Sequence, residues 1–185
     1  MAILSSLTLI RTLSLAHLIA AYYFLVAPRV VADNNIIFML GESMQMQHPT
    51  SLDESSDASA FIAVLLAFIS VTDLAATLPT ATINPGDGEH ATREYWLANV
   101  PIRLTFLFAL TGYVYLFKEG GMLGVPEGLV ESIVGPGDNL QNSLVFSFGF
   151  LEIAAWFWIF TNLRDERREA VAKRVQQMKS EEDSL

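Results

Sequence analysis

Residues 139–174 read NLQNSLVFSFGFLEIAAWFWIFTNLRDERREAVAKR, and this stretch decides the fold class. Its first part is a nearly unbroken apolar run of roughly twenty residues, the length a helix needs to cross a hydrocarbon layer about 30 Å thick. Only Glu152 interrupts it with an ionisable group. Trp156 and Trp158 stand toward its C-terminal end, where indole rings favour the membrane–water interface. The basic run that follows resists translocation, so the end of the chain is expected in the cytosol.

Working outward, the composition agrees with a membrane domain. The chain is 52% apolar and 17% charged, too apolar for an ordinary soluble domain. Its formal charge of -9 arises from acids in the connecting segments and at the extreme C-terminus, while the bases cluster after Leu163. Nothing in this balance favours nucleic acid as a partner. Cysteine is absent, which excludes disulfides, thiolate metal sites and thiol catalysis.

Three further runs complete an all-α, four-span bundle, with spans at about 3–27, 59–78, 98–117 and 140–163 and a charged tail at 164–185. The first is closed by Pro28 and contains Arg11 and His17; lacking a cleavage pattern, it is expected to remain as an uncleaved helix. Asp33 is a candidate cap for a short interfacial helix reaching Met44, with Ile36, Ile37, Met39 and Leu40 along it. His48, isolated beside Pro49, is expected to be solvated. The connector TATINPGDGEHATRE is read as turn chemistry, with Pro101 in the first turn of the third span. Between Glu119 and Asp138, apolar residues four apart in EGLVESIV suggest a second interfacial helix. The tail, with alternating charges, reads as a solvated helix.

Topology follows from the bases. One side holds Arg93, Arg164, Arg167, Arg168, Lys173, Arg174 and Lys179, and the other only Arg29 and Lys118. Both termini are therefore expected in the cytosol.

Ionisable groups within hydrocarbon are expensive and mark candidate sites, here Arg11, His17, Asp73, Arg103 and Glu152. The two arginines lie near cytosolic helix ends and could snorkel to the surface, which would make them anchors. The acids are too short to escape in that way. Gly149 and Ala155 flank Glu152 at three residues and open a groove for another helix, and Asp73 shares a stripe with Ser70. Alternating helix directions place Arg11, Asp73 and Arg103 at one depth with Glu152 slightly deeper. The expectation is a polar cluster of Arg11, Asp73, Arg103 and Glu152 that fixes helix register or lines a small ligand or ion site. His17, with Ser14 as its neighbour, is expected to be a satisfied bundle histidine rather than a proton relay.

Missing motifs narrow the chemistry. His17, His48 and His90 are isolated from one another, so no histidine box, zinc helix or other metal site is read, and no cofactor is expected. No nucleophile elbow or phosphate-cradling glycine loop occurs either. Thr111-Gly112-Tyr113 lies in a helical run and lacks the rest of a potassium filter.

The chain resembles the fungal "increased loss of mitochondrial DNA" protein family. The likeness rests on Leu9-Ile10-Arg11-Thr12, Leu40-Gly41-Glu42-Ser43-Met44, Pro101-Ile102-Arg103-Leu104, Leu110-Thr111-Gly112-Tyr113, Gly149-Phe150-Leu151-Glu152 running into Trp156-Phe157-Trp158, and Leu163-Arg164-Asp165-Glu166-Arg167. It implies a small multi-pass protein of the endoplasmic reticulum membrane, tied to mitochondrial genome upkeep by phenotype and carrying no catalytic motif.

The sequence thus leads to a non-enzymatic accessory or scaffold protein for lipid or organelle homeostasis, set in the lipid bilayer with a membrane-protein partner. Two alternatives stand beside it. In one the charge cluster forms an ion path or binds a lipid or sterol-like molecule. In the other Asp73 and Glu152 act as acid and base in an intramembrane enzyme.

Overall fold

The computed structural model describes residues 4–49, 52, 54–78, 87–118, 122 and 137–182. They form an all-α membrane helical bundle. The elements are α1 (Ser6–Val26), α2 (Pro28–Ala32), α3 (Asn35–Ser43), α4 (Asp57–Ala76), α5 (Asp87–Phe117), a 3-10 turn (Asp138–Leu140) and α6 (Ser143–Glu182). Four of these helices, α1, α4, α5 and α6, are long and apolar enough to cross a membrane. The expected second interfacial helix near 127–134 lies outside the described residues.

Helix ends are set by local chemistry. The hydroxyl of Ser56 accepts from the backbone of Ser59 while the Ser59 hydroxyl accepts from the backbone of Ser56, a reciprocal box that starts α4 two residues before the expected Ser59. At α3 the cap is Asn34, whose side chain accepts from Ile36 N, and not the expected Asp33. Asp33 instead pairs with Arg29 one turn earlier, where the carboxylate finds a charged partner.

Two boundaries differ more. The segment 87–94, expected as the end of the turn-rich connector, is the first part of α5, and Pro101 consequently stands inside the helix. Asp87-Gly88 begins the helix instead of breaking it, and Thr92 ties its hydroxyl back to Gly88 O. Proline is tolerated within spanning helices because neighbouring groups re-satisfy the freed backbone. The C-terminal tail is no separate element: α6 continues unbroken through Leu163 to Glu182, 40 residues in all. That is about 60 Å at 1.5 Å per residue, twice the hydrocarbon thickness, so its second half stands beyond the span.

The spanning helices alternate in direction. Helix α1 packs on α4, α5 on α6, and α1 on α6, while α3 lies against the start of α6. Ser6 contacts Glu166, and Met44 contacts Lys118, so the two ends of the bundle are well defined: a tail end and an α3 end. An apolar core of Leu7, Ile10, Trp96, Val100, Leu104, Trp156 and Ile159 fills the tail half. A smaller core of Phe24, Ala32, Leu52 and Ala63 fills the α3 half. His17 and Glu152 fall between them in sequence along α1 and α6.

The outer surface is apolar. Leu15, Ile19, Phe61, Val64, Phe68, Ile102, Phe106 and Phe157 are each more than half exposed, whereas Asp73, Glu152, Ser14, Ser70 and Ser147 are buried. This inversion is what a hydrocarbon solvent selects, since apolar side chains lose nothing by facing acyl chains and polar ones must find partners inside. Trp158 is exposed, but Trp156, expected at the interface, is 2% exposed and belongs to the core. Its indole N–H has a partner there, which removes the reason for it to seek the interface.

Candidate functional site

Each of the four spanning helices sends an ionisable side chain into the bundle. Asp73 of α4 and Arg103 of α5 form a bidentate pair, with Nη1 donating to Oδ2 and Nη2 to Oδ1, both at 2.6 Å. The planar fork of a guanidinium matches two carboxylate oxygens, and burial of Asp73 makes that match necessary. Arg103 does not snorkel. Its guanidinium carbon lies 4.7 Å from the centroid of Trp156 and 5.3 Å from that of Trp96. The two indoles are themselves stacked, with centroids 5.6 Å apart and planes at 22°. Their faces supply a cation–π environment for the half-buried guanidinium.

Trp156 joins this pair to a second one. Its Nε1 donates to Glu152 Oε2 at 2.8 Å, and Glu152 Oε1 shares a 2.6 Å hydrogen bond with His17 Nε2. Asp73, Arg103, Trp156, Glu152 and His17 therefore make one connected line that touches α4, α5, α6 and α1. Every oxygen of the two buried carboxylates in it has a partner.

The expected grouping of four charges is thus rearranged. Asp73, Arg103 and Glu152 belong to one network, but Glu152 is bonded to His17 and not to an arginine. Arg11 stands apart: exposed, it donates from Nε to Thr77 Oγ1 and from Nη2 to Thr77 O, both at 3.0 Å, and so closes the C-terminal end of α4. A cation at that end meets both the free carbonyls and the negative pole of the helix. Ser14 and Ser70, the secondary candidates, are buried but bond back to Ile10 O and Leu66 O of their own helices. At Gly149 α5 and α6 approach closely, since a Cβ there would collide with Thr111 Oγ1.

Several members lie outside the expected cluster. Trp156 is expected at the interface, Trp96 carries no site signal, and the one available pointer is the spacing of Trp156 four residues after Glu152, within reach on one helix face. Glu166 was assigned to the solvated tail. It accepts from Ser6 N and Ser6 Oγ, both at 2.7 Å, and pairs with Arg93 at 3.1 Å, docking the start of α1 onto α6. No periodicity points to that contact.

At the α3 end, a cleft is lined by residues including Asp33, Glu42, His48, Gly41 and Ser143. His48 is partly exposed and 3.5 Å from Asp33. Among the described residues, no group of three His, Cys, Asp or Glu side chains is placed to hold a metal ion.

The sequence carrying this geometry matches a known family. The model of the family described as "Increased loss of mitochondrial DNA protein 1" matches residues 4–173. A relative, "Protein ilm1" of Schizosaccharomyces pombe, is 22% identical over 144 residues, covering 78% of this chain and 71% of the relative. No solved structure matches. Since the family match spans most of the sequence, including every residue of the Asp73–His17 line, the chain belongs to this family.

Proposed function

We propose that this member of the mitochondrial-DNA-loss family is a non-enzymatic accessory or scaffold protein of the endoplasmic reticulum membrane. It supports lipid or organelle homeostasis, and through that the upkeep of mitochondrial DNA, with both termini in the cytosol and a membrane-protein partner. One observation carries the reading: every oxygen of the two buried carboxylates is bonded, three of the four to a different helix and the fourth to Trp156 on the same one. Groups committed in this way act as register pins between helices, the best-attested role of buried polar pairs. The same commitment disfavours the intramembrane acid–base enzyme, because Asp73 and Glu152 each answer to a different partner rather than to a shared substrate position.

The test is complementation. The chain and its Glu152→Gln, Asp73→Asn and His17→Gln variants are expressed in Schizosaccharomyces pombe cells lacking protein ilm1, with a fluorescent tag and an endoplasmic reticulum marker. A scaffold loses mitochondrial DNA retention only in proportion to lost protein abundance. Loss of retention at undiminished abundance refutes it, and absence of the tag from the reticulum refutes the location.

A further inference from the structure

Most buried hydroxyls among the described residues have a partner: that of Ser6 donates to Glu166 of another helix. Ser14, Ser70 and Thr92 each return a hydrogen bond to a carbonyl of their own helix, at Ile10, Leu66 and Gly88. Ser143, Ser147 and Thr111 do not, and the oxygens of all three are buried without a hydrogen-bond partner, as is Nδ1 of His17. These four atoms are not scattered. Ser143 and Ser147 are one turn apart on α6, Thr111 Oγ1 lies against Gly149, and His17 is bonded to Glu152. They follow one ten-residue stretch of α6, about 14 Å long at 1.5 Å per residue. Ser143, at its outer end, also lines the cleft of about 310 Å³ beside α3.

We propose that the α3 half of the bundle holds a one-sided, water-filled pocket that brings water from this cleft to the buried His17–Glu152 pair. Polar atoms buried in hydrocarbon without a partner are costly, and water is the small ligand that satisfies such atoms in protein interiors. At the mouth, Asp33 and Glu42 attract cations, with His48, Arg29 and Lys118 as the other charged or titratable groups nearby. At the inner end, His17 and Glu152 share their hydrogen bond, and Trp156 is bonded to the latter. The Arg103–Asp73 pair and the two stacked indoles occupy the way beyond Trp156, so the pocket opens toward α3 alone. The proposal goes beyond the scaffold role and does not depend on it.

The chain has no cysteine, so single-cysteine variants report without background. Ser143→Cys, Ser147→Cys and Thr111→Cys are made in the full chain, reconstituted into vesicles and exposed to silver ion, an impermeant probe near the size of water. Block of later maleimide labelling in denaturant is the readout. Phe108→Cys and Phe150→Cys, on exposed apolar positions of the same helices, are the controls. Because a thiol needs water to ionise and react, Ser147→Cys and Thr111→Cys are expected to react roughly tenfold or more faster than the controls. The reaction occurs only in vesicles whose α3 end faces the probe, a direction established by protease clipping of the tail. Rates equal to the controls overturn the pocket, and equal reaction from both faces overturns its one-sidedness. Radiolytic footprinting of the unmodified chain gives a check free of folding effects: relative to the denatured chain, His17 is oxidised faster than Phe68 and Phe106, and an equal rate overturns the proposal.

Discussion

Asp73 and Arg103, thirty residues apart and on different helices, meet through two hydrogen bonds of 2.6 Å beneath a pair of stacked tryptophans. Around this contact the tail half of the bundle is assembled: Asp73 brings α4, Arg103 and Trp96 bring α5, and Trp156 brings α6.

Removing one member of the pair strands the other charge away from water. Arg103→Met alone, or Asp73→Leu alone, is expected to destabilise the protein by about 3–5 kcal/mol, whereas the double variant recovers most of the loss. Unfolding in detergent micelles followed by tryptophan fluorescence measures all three. A double variant as unstable as the sum of the singles contradicts a direct pair.

Glu152 accepts one hydrogen bond from Trp156 and shares another with His17. Glutamine can reproduce both, accepting with its oxygen and donating with its amide nitrogen. Glu152→Gln should therefore stay close to the parent protein, while Glu152→Leu, which leaves an indole N–H and an imidazole unpartnered, loses about 1–3 kcal/mol for each group. Equal stability of the two variants would remove the His17–Glu152–Trp156 line from the account.

The approach of α5 to α6 at Gly149 leaves no space for a methyl group beside Thr111 Oγ1. Gly149→Ala is expected to cost about 1–3 kcal/mol by overpacking. Adding Thr111→Ala should return much of it, an interaction visible as non-additivity in a double-mutant cycle. Strict additivity would place the two residues out of contact.

Glu166 holds the first turn of α1 through the backbone and hydroxyl of Ser6. Glu166→Ala removes an N-terminal cap worth about 1 kcal/mol. Faster hydrogen–deuterium exchange is then expected at the first backbone amides of α1 and nowhere near α3. The exposed neighbour Glu169 has no such contact among the described residues, and Glu169→Ala should leave these amides unchanged. Identical exchange in both variants argues against the docking of α1 on α6.

Class and span number were legible because they depend on properties summed along the chain. An apolar run such as 143–163 needs no knowledge of its neighbours to be recognised as a crossing, and the alternation of spans follows from connectivity. The acids inside the runs were also legible, since a short carboxylate in hydrocarbon has to turn inward wherever its neighbours are. Boundaries were less so. Asp87-Gly88 carries turn chemistry, yet the helix starts there, and Pro101 sits in mid-helix because the surrounding bundle accommodates the break.

The sequence by itself determined that this protein is a helical membrane bundle and that Asp73 and Glu152 face its interior, because transfer from water to hydrocarbon is a property of the residue and its run length. Only the tertiary structure decided the partners. Arg103 rather than Arg11 takes Asp73, His17 and Trp156 take Glu152, and Arg11 closes α4 at Thr77. Those choices turn on a few ångströms of helix rotation and on aromatic rings supplied by other helices, and no spacing along one helix encodes the rotation of the next.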